Sequence, residues 1–481
     1  MKLGAILVAV PLVGALRAPL GGVRTSRGAA LRATVEKPAV SESPVRTTAA
    51  DDVYVLTEED PRPGLEENEV FRCDDSVAFW RDFQRDGPED AASNFRRAAE
   101  VASAGLASGG AKAVVYWASH AARTAYFAGN AVLGTAAHAA NQRASDASSS
   151  EAAGFSANQQ RGGIGGFGID AAVASRLVLE AVLTYEADWK AVAAGKLKMP
   201  WDMEVGHRQT TPFYAARQTA RFVREAVRTL GRRAVEAEPK VWLDAASSKL
   251  YPKYYLNDFH YQTDGWLSAD SADVYETSTE TLFLGRQDAM QRATLVPLAG
   301  KEPKKILEVA CGTGRVGTFA RDNHPDADYT GVDLSPFYLA KARDNDAYWC
   351  ERTGGKAPAT FVQANGEDLP FADGEYDAVI CVYLFHELPA DARANVAREM
   401  ARVCKPGGTV VLTDSLQRGD RPALDARIDN FSKLNEPHYS NYVRDYLPAL
   451  FTAHGLVPDA KCVMSTSKTL SFDKPPAEDE A

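Results

Sequence analysis

The sequence predicts an α/β fold: a mostly parallel sheet covered by helices in the C-terminal part, preceded by a mainly α-helical extension. Three observations predict it. Between Lys304 and Asp414, short runs rich in β-branched residues alternate with helix-length segments, as parallel strands joined by crossover helices do. The first run ends in a glycine turn, Gly312-Thr313-Gly314, which lets a strand pass tightly into a helix. Upstream, from Pro88 to about Arg143, alanine dominates, and alanine loses no side-chain entropy in a helix.

Composition narrows the function classes. The chain has 481 residues, enough for several folding units. Its 54 basic and 64 acidic residues leave a net charge of −10, which repels phosphate backbones and argues against general nucleic-acid binding. The six cysteines form no CxxC or Cys/His cluster, so neither a disulfide framework nor a metal-ligand set is expected, and a reducing compartment fits.

The elements follow in order. Residues 1–50 read as a targeting leader: Lys2, an apolar run from Leu3 to Leu16, small residues, then an acid-free stretch rich in Arg, Ser, Thr and Ala to Thr34. A signal segment followed by a transit segment resembles the bipartite leader of plastid proteins in algae with secondary plastids; a plain secretory signal is the alternative. Residues 51–143 form the alanine-rich helical region, with a helix over Lys112 to Asn141 expected to break at Gly129 or Gly134. Residues 144–169, rich in serine and glycine, read as a linker.

Residues 170–300 form a helical accessory region. Val173, Leu177, Ala181, Tyr185, Trp189 and Val192 recur every three to four residues and share one helix face. Thr211-Pro212 opens another helix, where Arg217, Arg221, Arg224, Arg228 and Arg232 form a stripe. That stripe is either a solvated face of a packed helix or a surface that meets an acidic partner or anionic lipid, the latter a peripheral membrane contact. Aromatic residues then crowd together: Tyr251, Tyr254, Tyr255, Phe259, His260, Tyr261, Trp266 and Tyr275. Their polar tips suit either an interdomain core or a pocket for an organic molecule, and the segment leads directly into the glycine turn.

Residues 301–473 hold the sheet, and 474–481 an acidic tail. Strands are expected at Lys304–Cys311, Tyr329–Leu334, Thr360–Ala364, Tyr376–Leu384 and Thr409–Asp414, with helices between them. Ligands of such sheets sit at the strands' carboxyl ends. Asp333 ends the second strand, where a carboxylate can accept both hydroxyls of a ribose. Asn365 ends the third strand, within reach of an adenine edge.

Gly312, Gly314 and Gly317 also satisfy the GxGxxG pattern of dinucleotide sites, which leaves an NAD(P)-dependent oxidoreductase as an alternative. Three features pull away from it: Glu308 inside the first strand, the block Glu367-Asp368-Leu369-Pro370-Phe371 ahead of Tyr376, and Lys405-Pro406-Gly407-Gly408 before a strand. An acid at Glu308 suits a cationic, amine-bearing ligand.

Taken together, these residues resemble the class I S-adenosylmethionine-dependent methyltransferases, and within them the ubiquinone/menaquinone biosynthesis branch. The resemblance covers residues 304–416. It implies a Rossmann-like sheet of seven strands with one antiparallel strand, the last two drawn from Leu456–Ser465 and Lys468–Phe472. It implies S-adenosyl-L-methionine as cofactor: Glu308 to Gly314 at its methionine part, Asp333 on the ribose, Leu334 against adenine, and Asn365-Gly366 beside the adenine amine. Asn365 stands where many relatives have Asp. Tyr383 falls where donor and acceptor meet. His386, after the fourth strand, is either a general base for the acceptor or an orienting residue; His260 and His438 are further candidates. The Tyr254–Trp266 segment would cover a small-molecule acceptor, with Pro437–Tyr446 as another wall. A non-catalytic cofactor-binding scaffold is the remaining alternative.

Overall fold

A computed structural model describes residues 60–83, 90–148, 171–203, 207–234, 251–256, 264–354, 357–429 and 436–477. All lie in one compact unit, Tyr54–Ala481. The leader, most of the 144–169 linker and His260 lie outside the described residues.

The sheet has eight strands: β1 (Arg72–Cys73), β2 (Lys305–Val309), β3 (Asp328–Asp333), β4 (Thr360–Gln363), β5 (Tyr376–Val382), β6 (Cys404–Ser415), β7 (Val457–Met464) and β8 (Ser467–Asp473). Their order is β1-β7-β8-β6-β5-β2-β3-β4. All neighbours run parallel except β8, which is antiparallel to β6 and β7. The expected seven strands are therefore present, and β1 makes an eighth. Two residues carry no periodicity, so pairing with β7 alone makes them a strand.

The middle of the sheet is apolar on both faces, as a parallel sheet between helices must be. Leu307, Val309, Val379 and Cys381 face one core; Ile306, Ala378, Ile380 and Val411 face the other. Strand order reverses between β2 and β5, and the two diverging crossovers leave a crevice at their carboxyl ends.

The extension is woven into this body. It includes helices α1 (Asp75–Asp82), α2 (Ala91–Ala107), α3 (Gly110–Ser148) and α4 (Ala171–Ala193), and α4 is tied to α2 and α3 by Asn94 Nδ2 to Ser175 Oγ at 3.0 Å, Tyr116 OH to Asp188 at 2.7 Å, and Trp189 Nε1 to Ser108 Oγ, just past α2, at 2.7 Å. The helix expected to break at Gly129 or Gly134 runs on to Ser148, into the expected linker. Alanine-rich flanks carry the glycines, and at Gly134 an added Cβ would lie 3.0 Å from the Phe222 ring.

The α4 face read from the sequence was too narrow. Leu179 and Leu183 are buried as well, and the polar side is closed by ion pairs, Asp188 to Arg292 at 2.9 Å and Glu180 to Arg421 at 3.1 Å. In α5 (Pro212–Ala234), Arg221 and Arg224 meet Asp273 and Asp270 of α6 (Ala269–Leu282) at 2.8 and 3.7 Å. No described helix is long and apolar enough to cross a membrane.

Candidate active site

The crevice over β2, β3 and β5 gathers most of the residues singled out in the sequence. Gly312, Asp333, Leu334, Asn365, Gly366, Tyr383 and Glu387 line it, with Tyr254, Tyr255, Trp266, Tyr275 and Tyr338 as cover. Tyr254, Tyr255, Trp266 and Tyr275 of the aromatic stretch thus form a lid over the crevice. A larger cavity, about 500 Å3, lies among α3, α5 and α6 and contains no strand-end residue from β3 or β5. Chemistry and size point to different places, and the chemistry locates the site.

Backbone conformation shapes the floor. Ala310 (φ 59°), Gly312 (φ 53°) and Gly314 (φ 71°) are all left-handed, as is Tyr383 (φ 56°) at the end of β5. Such angles cost a residue with a Cβ about 1–2 kcal/mol, so Ala310 and Tyr383 hold strain at the site. Gly312 faces open space: an added Cβ would meet only Tyr338, 3.9 Å away. A Cβ on Gly366 would enter the crevice 3.2 Å from Val309.

Asp333 is oriented by backbone donors. Gly312 N–H donates to Oδ2 at 2.9 Å and Ser335 N–H to Oδ1 at 2.8 Å, leaving each oxygen a free lone pair for a ribose hydroxyl. Burial pushes this carboxyl up to about 6 against the pull of those donors. Asn365 Oδ1 accepts from Glu367 N–H at 3.1 Å, and its Nδ2 donates to Glu367 Oε1 at 3.3 Å. Glu367 in turn accepts from Tyr254 OH at 2.5 Å and Asn395 Nδ2 at 2.9 Å, which latches the lid.

Two expected residues are not walls of the crevice. Glu308 is 2% exposed, and its carboxyl accepts from Tyr329 OH on β3 at 2.5 Å. Burial raises it to about 8, against that hydrogen bond. Gly314 instead caps helix α7 (Arg315–Asn323), where an added Cβ would press on Ala342 at 3.1 Å. The third glycine of the pattern, Gly317, leaves room for Tyr329, whose hydroxyl would sit 2.4 Å from an added Cβ. Arg315 anchors the turn through Asp288, at 2.6 Å, and Asp202.

The side of the crevice beyond β5 is built from distant segments. His386 Nδ1 donates to Asp414 Oδ1 at 2.6 Å, and its Nε2 lies 3.6 Å from Glu387 Oε1. Burial opposes charge on this ring, but Asp414 outweighs it and the pKa is raised. Tyr439 and Tyr442 pack edge-on to the ring at 5.9 and 6.1 Å. His438 instead meets Tyr254 of the lid, 6.5 Å between ring centres. Tyr383 turns its hydroxyl to Ser467, 2.5 Å away. Glu436 joins His386 and Glu387 in one cluster that sequence reading missed. Its only signal was its place beside the Pro437–Tyr446 wall.

The cradle fits S-adenosylmethionine: a bidentate acid for the ribose, an apolar Leu334 beside it, and Cβ-free backbone at Gly312 and Gly366. The crevice measures about 100 Å3, small against the roughly 300–1,000 Å3 of ligand pockets.

Residues 306–408 match the family model described as a methyltransferase domain. Over 125 residues, 26% of the chain, the sequence is 37% identical to a fatty-acid O-methyltransferase of Mycolicibacterium smegmatis, covering 42% of that protein. Over 147 residues, 30% of the chain, it is 31% identical to a demethylmenaquinone methyltransferase of Deinococcus radiodurans, covering 57% of it. Over 123 residues, 25% of the chain, it is 36% identical to phthiotriol/phenolphthiotriol dimycocerosates methyltransferase 1 of Mycobacterium ulcerans, covering 40% of it. The chain thus spans about half the length of the curated relatives it matches. With the glycine turn, the ribose-type acid and the reversed strand order in place, the chain carries a class I S-adenosylmethionine-dependent methyltransferase domain, whose cofactor is S-adenosylmethionine.

Proposed function

We propose that the chain transfers the methyl group of S-adenosylmethionine to a small, apolar or ring-bearing acceptor. One observation carries this reading: the crevice that presents Asp333 and Leu334 is roofed by Tyr254, Tyr255, Trp266 and Tyr275. Aromatic walls with polar tips grip flat or apolar molecules and exclude water. The matched relatives, named for fatty acids and demethylmenaquinone, support an apolar acceptor.

The cofactor supplies a methyl carbon already activated by a positive sulfur. What remains for the protein is alignment, worth roughly 7–11 kcal/mol when donor and acceptor are held in line. Asp333 and the glycine turn fix the nucleoside end. The lid excludes water, and His386 and Tyr383 stand at the acceptor side.

The leader, if it acts as its two-part composition reads, delivers the chain to a plastid, where pigments, prenylquinones and lipids are acceptors of the right class. The Arg217–Arg232 helix belongs to the same reading as a place to touch anionic lipid, since Arg224 and Arg228 keep more than half of their side chains exposed. Purified protein incubated with methyl-labelled cofactor and a plastid extract should place label in an organic-soluble small molecule. Label found only in protein, or nowhere, rejects the reading. A fluorescent protein fused behind residues 1–50 that enters the secretory route rather than the plastid removes the address.

A further inference from the structure

We infer that the cavity among α3, α5 and α6 is a second ligand site, built for an uncharged, mostly apolar molecule that carries a carbonyl or hydroxyl oxygen. At about 500 Å3 it falls within the roughly 300–1,000 Å3 that small-molecule pockets occupy. It is separate from the cofactor crevice. On α6, Tyr275 lines the crevice, whereas Glu276, Thr277 and Glu280 line the cavity.

Much of the wall is apolar. Ala118, Ala122 and Phe127 of α3, Ala215 of α5, Phe319 of α7 and Met203 offer a surface that favours hydrocarbon over water. The charged walls are already engaged with one another. Arg292 meets Asp188 at 2.9 Å, Arg315 meets Asp288 at 2.6 Å and also Asp202, and Arg123 meets both Glu280 and Asp288. Among the described residues, no buried acid oxygen of this wall lacks a hydrogen-bond partner. A cationic guest therefore finds no open carboxylate there. An anionic guest meets a wall in which acids outnumber arginines.

A second, independent observation points to the guest. His120 lines the cavity and is 3% exposed, and neither of its ring nitrogens has a hydrogen-bond partner. Packing alone holds the ring, stacked on Tyr185 at 3.9 Å and edge-on to Tyr116 at 4.5 Å between centres. Burial drives its pKa down to about 3, so it is a neutral imidazole with one donor and one acceptor. The charges that act on it, Arg123, Asp202, Arg292 and Asp288, all belong to the same wall. Arg292 is 1% exposed and has an open group too. Its Nε donates to Asp188 and its Nη2 to the Lys198 carbonyl, but Nη1 has no partner. Buried donors left open in this way destabilise the empty protein. A carbonyl or hydroxyl oxygen accepts from such donors; a hydrocarbon does not. The site rests on the cavity and its open polar groups, not on the methyl-transfer reading.

The probe is 2-naphthol at neutral pH, followed on the full chain by equilibrium dialysis and fluorescence. Naphthalene, 2-naphthoate and 2-naphthylmethylammonium serve as comparisons. One naphthol per chain is expected, with a dissociation constant of about 1 mM or below. The two ions should bind at least about tenfold more weakly, and naphthalene about two- to tenfold more weakly. Saturating S-adenosylhomocysteine should leave naphthol affinity within about a factor of two. Displacement by it puts the probe in the crevice and overturns the site. Ala118→Phe adds a ring to the cavity from an exposed wall position and should weaken naphthol binding at least about tenfold. His120→Phe keeps a ring against Tyr185 but removes both nitrogens, so the preference for naphthol over naphthalene should shrink. Both variants should bind S-adenosylhomocysteine within about a factor of two of the parent, which reports that they are folded. No uptake of naphthol at its solubility limit overturns the site and leaves water as the occupant. Unchanged affinity in Ala118→Phe overturns it equally. Tighter binding of either ion, or an undiminished preference in His120→Phe, overturns the assigned chemistry. If naphthol binds as described and S-adenosylhomocysteine does not bind, the methyl-transfer reading falls while this site stands.

Discussion

Two buried charge clusters in this molecule look alike and are built on opposite principles. At one edge of the sheet, Lys461 of β7 lies 2.9 Å from Glu67 and 2.7 Å from Asp420, and Lys468 of β8 lies 2.6 and 3.3 Å from the same two acids. None of these side chains is more than 1% exposed, and two cations meet two anions. At the crevice, His386, Glu387, Asp414 and Glu436 bring three carboxyl groups to one imidazole. The first cluster is balanced and stitches the segment before β1 to the sheet. The second sets one imidazole among three carboxyl groups and opens on a cavity. Charge balance, rather than burial, separates the brace from the working site. Asp333 is a third case: a half-buried carboxylate held by backbone N–H groups.

The comparison can be broken in four ways, beginning with the largest effect. Asp333→Ala removes two charge-assisted hydrogen bonds to the ribose, each worth about 1.5–3 kcal/mol. Calorimetry should show S-adenosylhomocysteine binding weakened by at least about a hundredfold; near-normal affinity would mean that the cradle is elsewhere. Lys468→Met leaves Glu67 and Asp420 short of one cation in a dry site. Breaking a buried pair in this way costs about 3–5 kcal/mol, read as a lower urea midpoint. A shift below about 1 kcal/mol would show that the cluster is not a brace.

The third test is acidity. Free Asp333 titrates near 6 because it is buried, and only its ionised form accepts both hydroxyls. Affinity should therefore be constant above about pH 7 and fall as pH drops through 6, to about a tenth at pH 5, with a proton released on binding below pH 6. A flat profile from pH 5 to 8 would place the ribose on another group.

The smallest effect is the most telling. Glu387→Gln should leave the stability read from urea unfolding unchanged or raise it by about 1 kcal/mol, because it removes one of two facing acids. The same kind of change in the balanced cluster destabilises. Equal losses at both sites would erase the distinction.

Much of the site was legible because it is local. The glycine turn, Asp333 and Asn365-Gly366 sit at strand ends, and strand ends follow from where β-branched runs stop. Alternation along a strand assigns Glu308 a face but not what fills it. Tyr329, given room by Gly317, reaches the carboxyl first. Glu436 carried no motif and joins His386 only through the fold of the segment around Tyr439 and Tyr442. β1 was invisible because two residues have no pattern.

The sequence by itself determined the alternation of strands and helices, the turn that bends after β2, the acid at the end of β3 and the aromatic stretch that becomes the lid. These depend on neighbours a few residues apart, whose preferences are written in side-chain shape and backbone freedom. Tertiary structure alone decided the eighth strand, the unbroken helix across Gly129 and Gly134, and the meeting of His386, Glu387, Asp414 and Glu436. Those outcomes depend on which distant surfaces are pressed together and kept from water, and burial is a property of the whole chain.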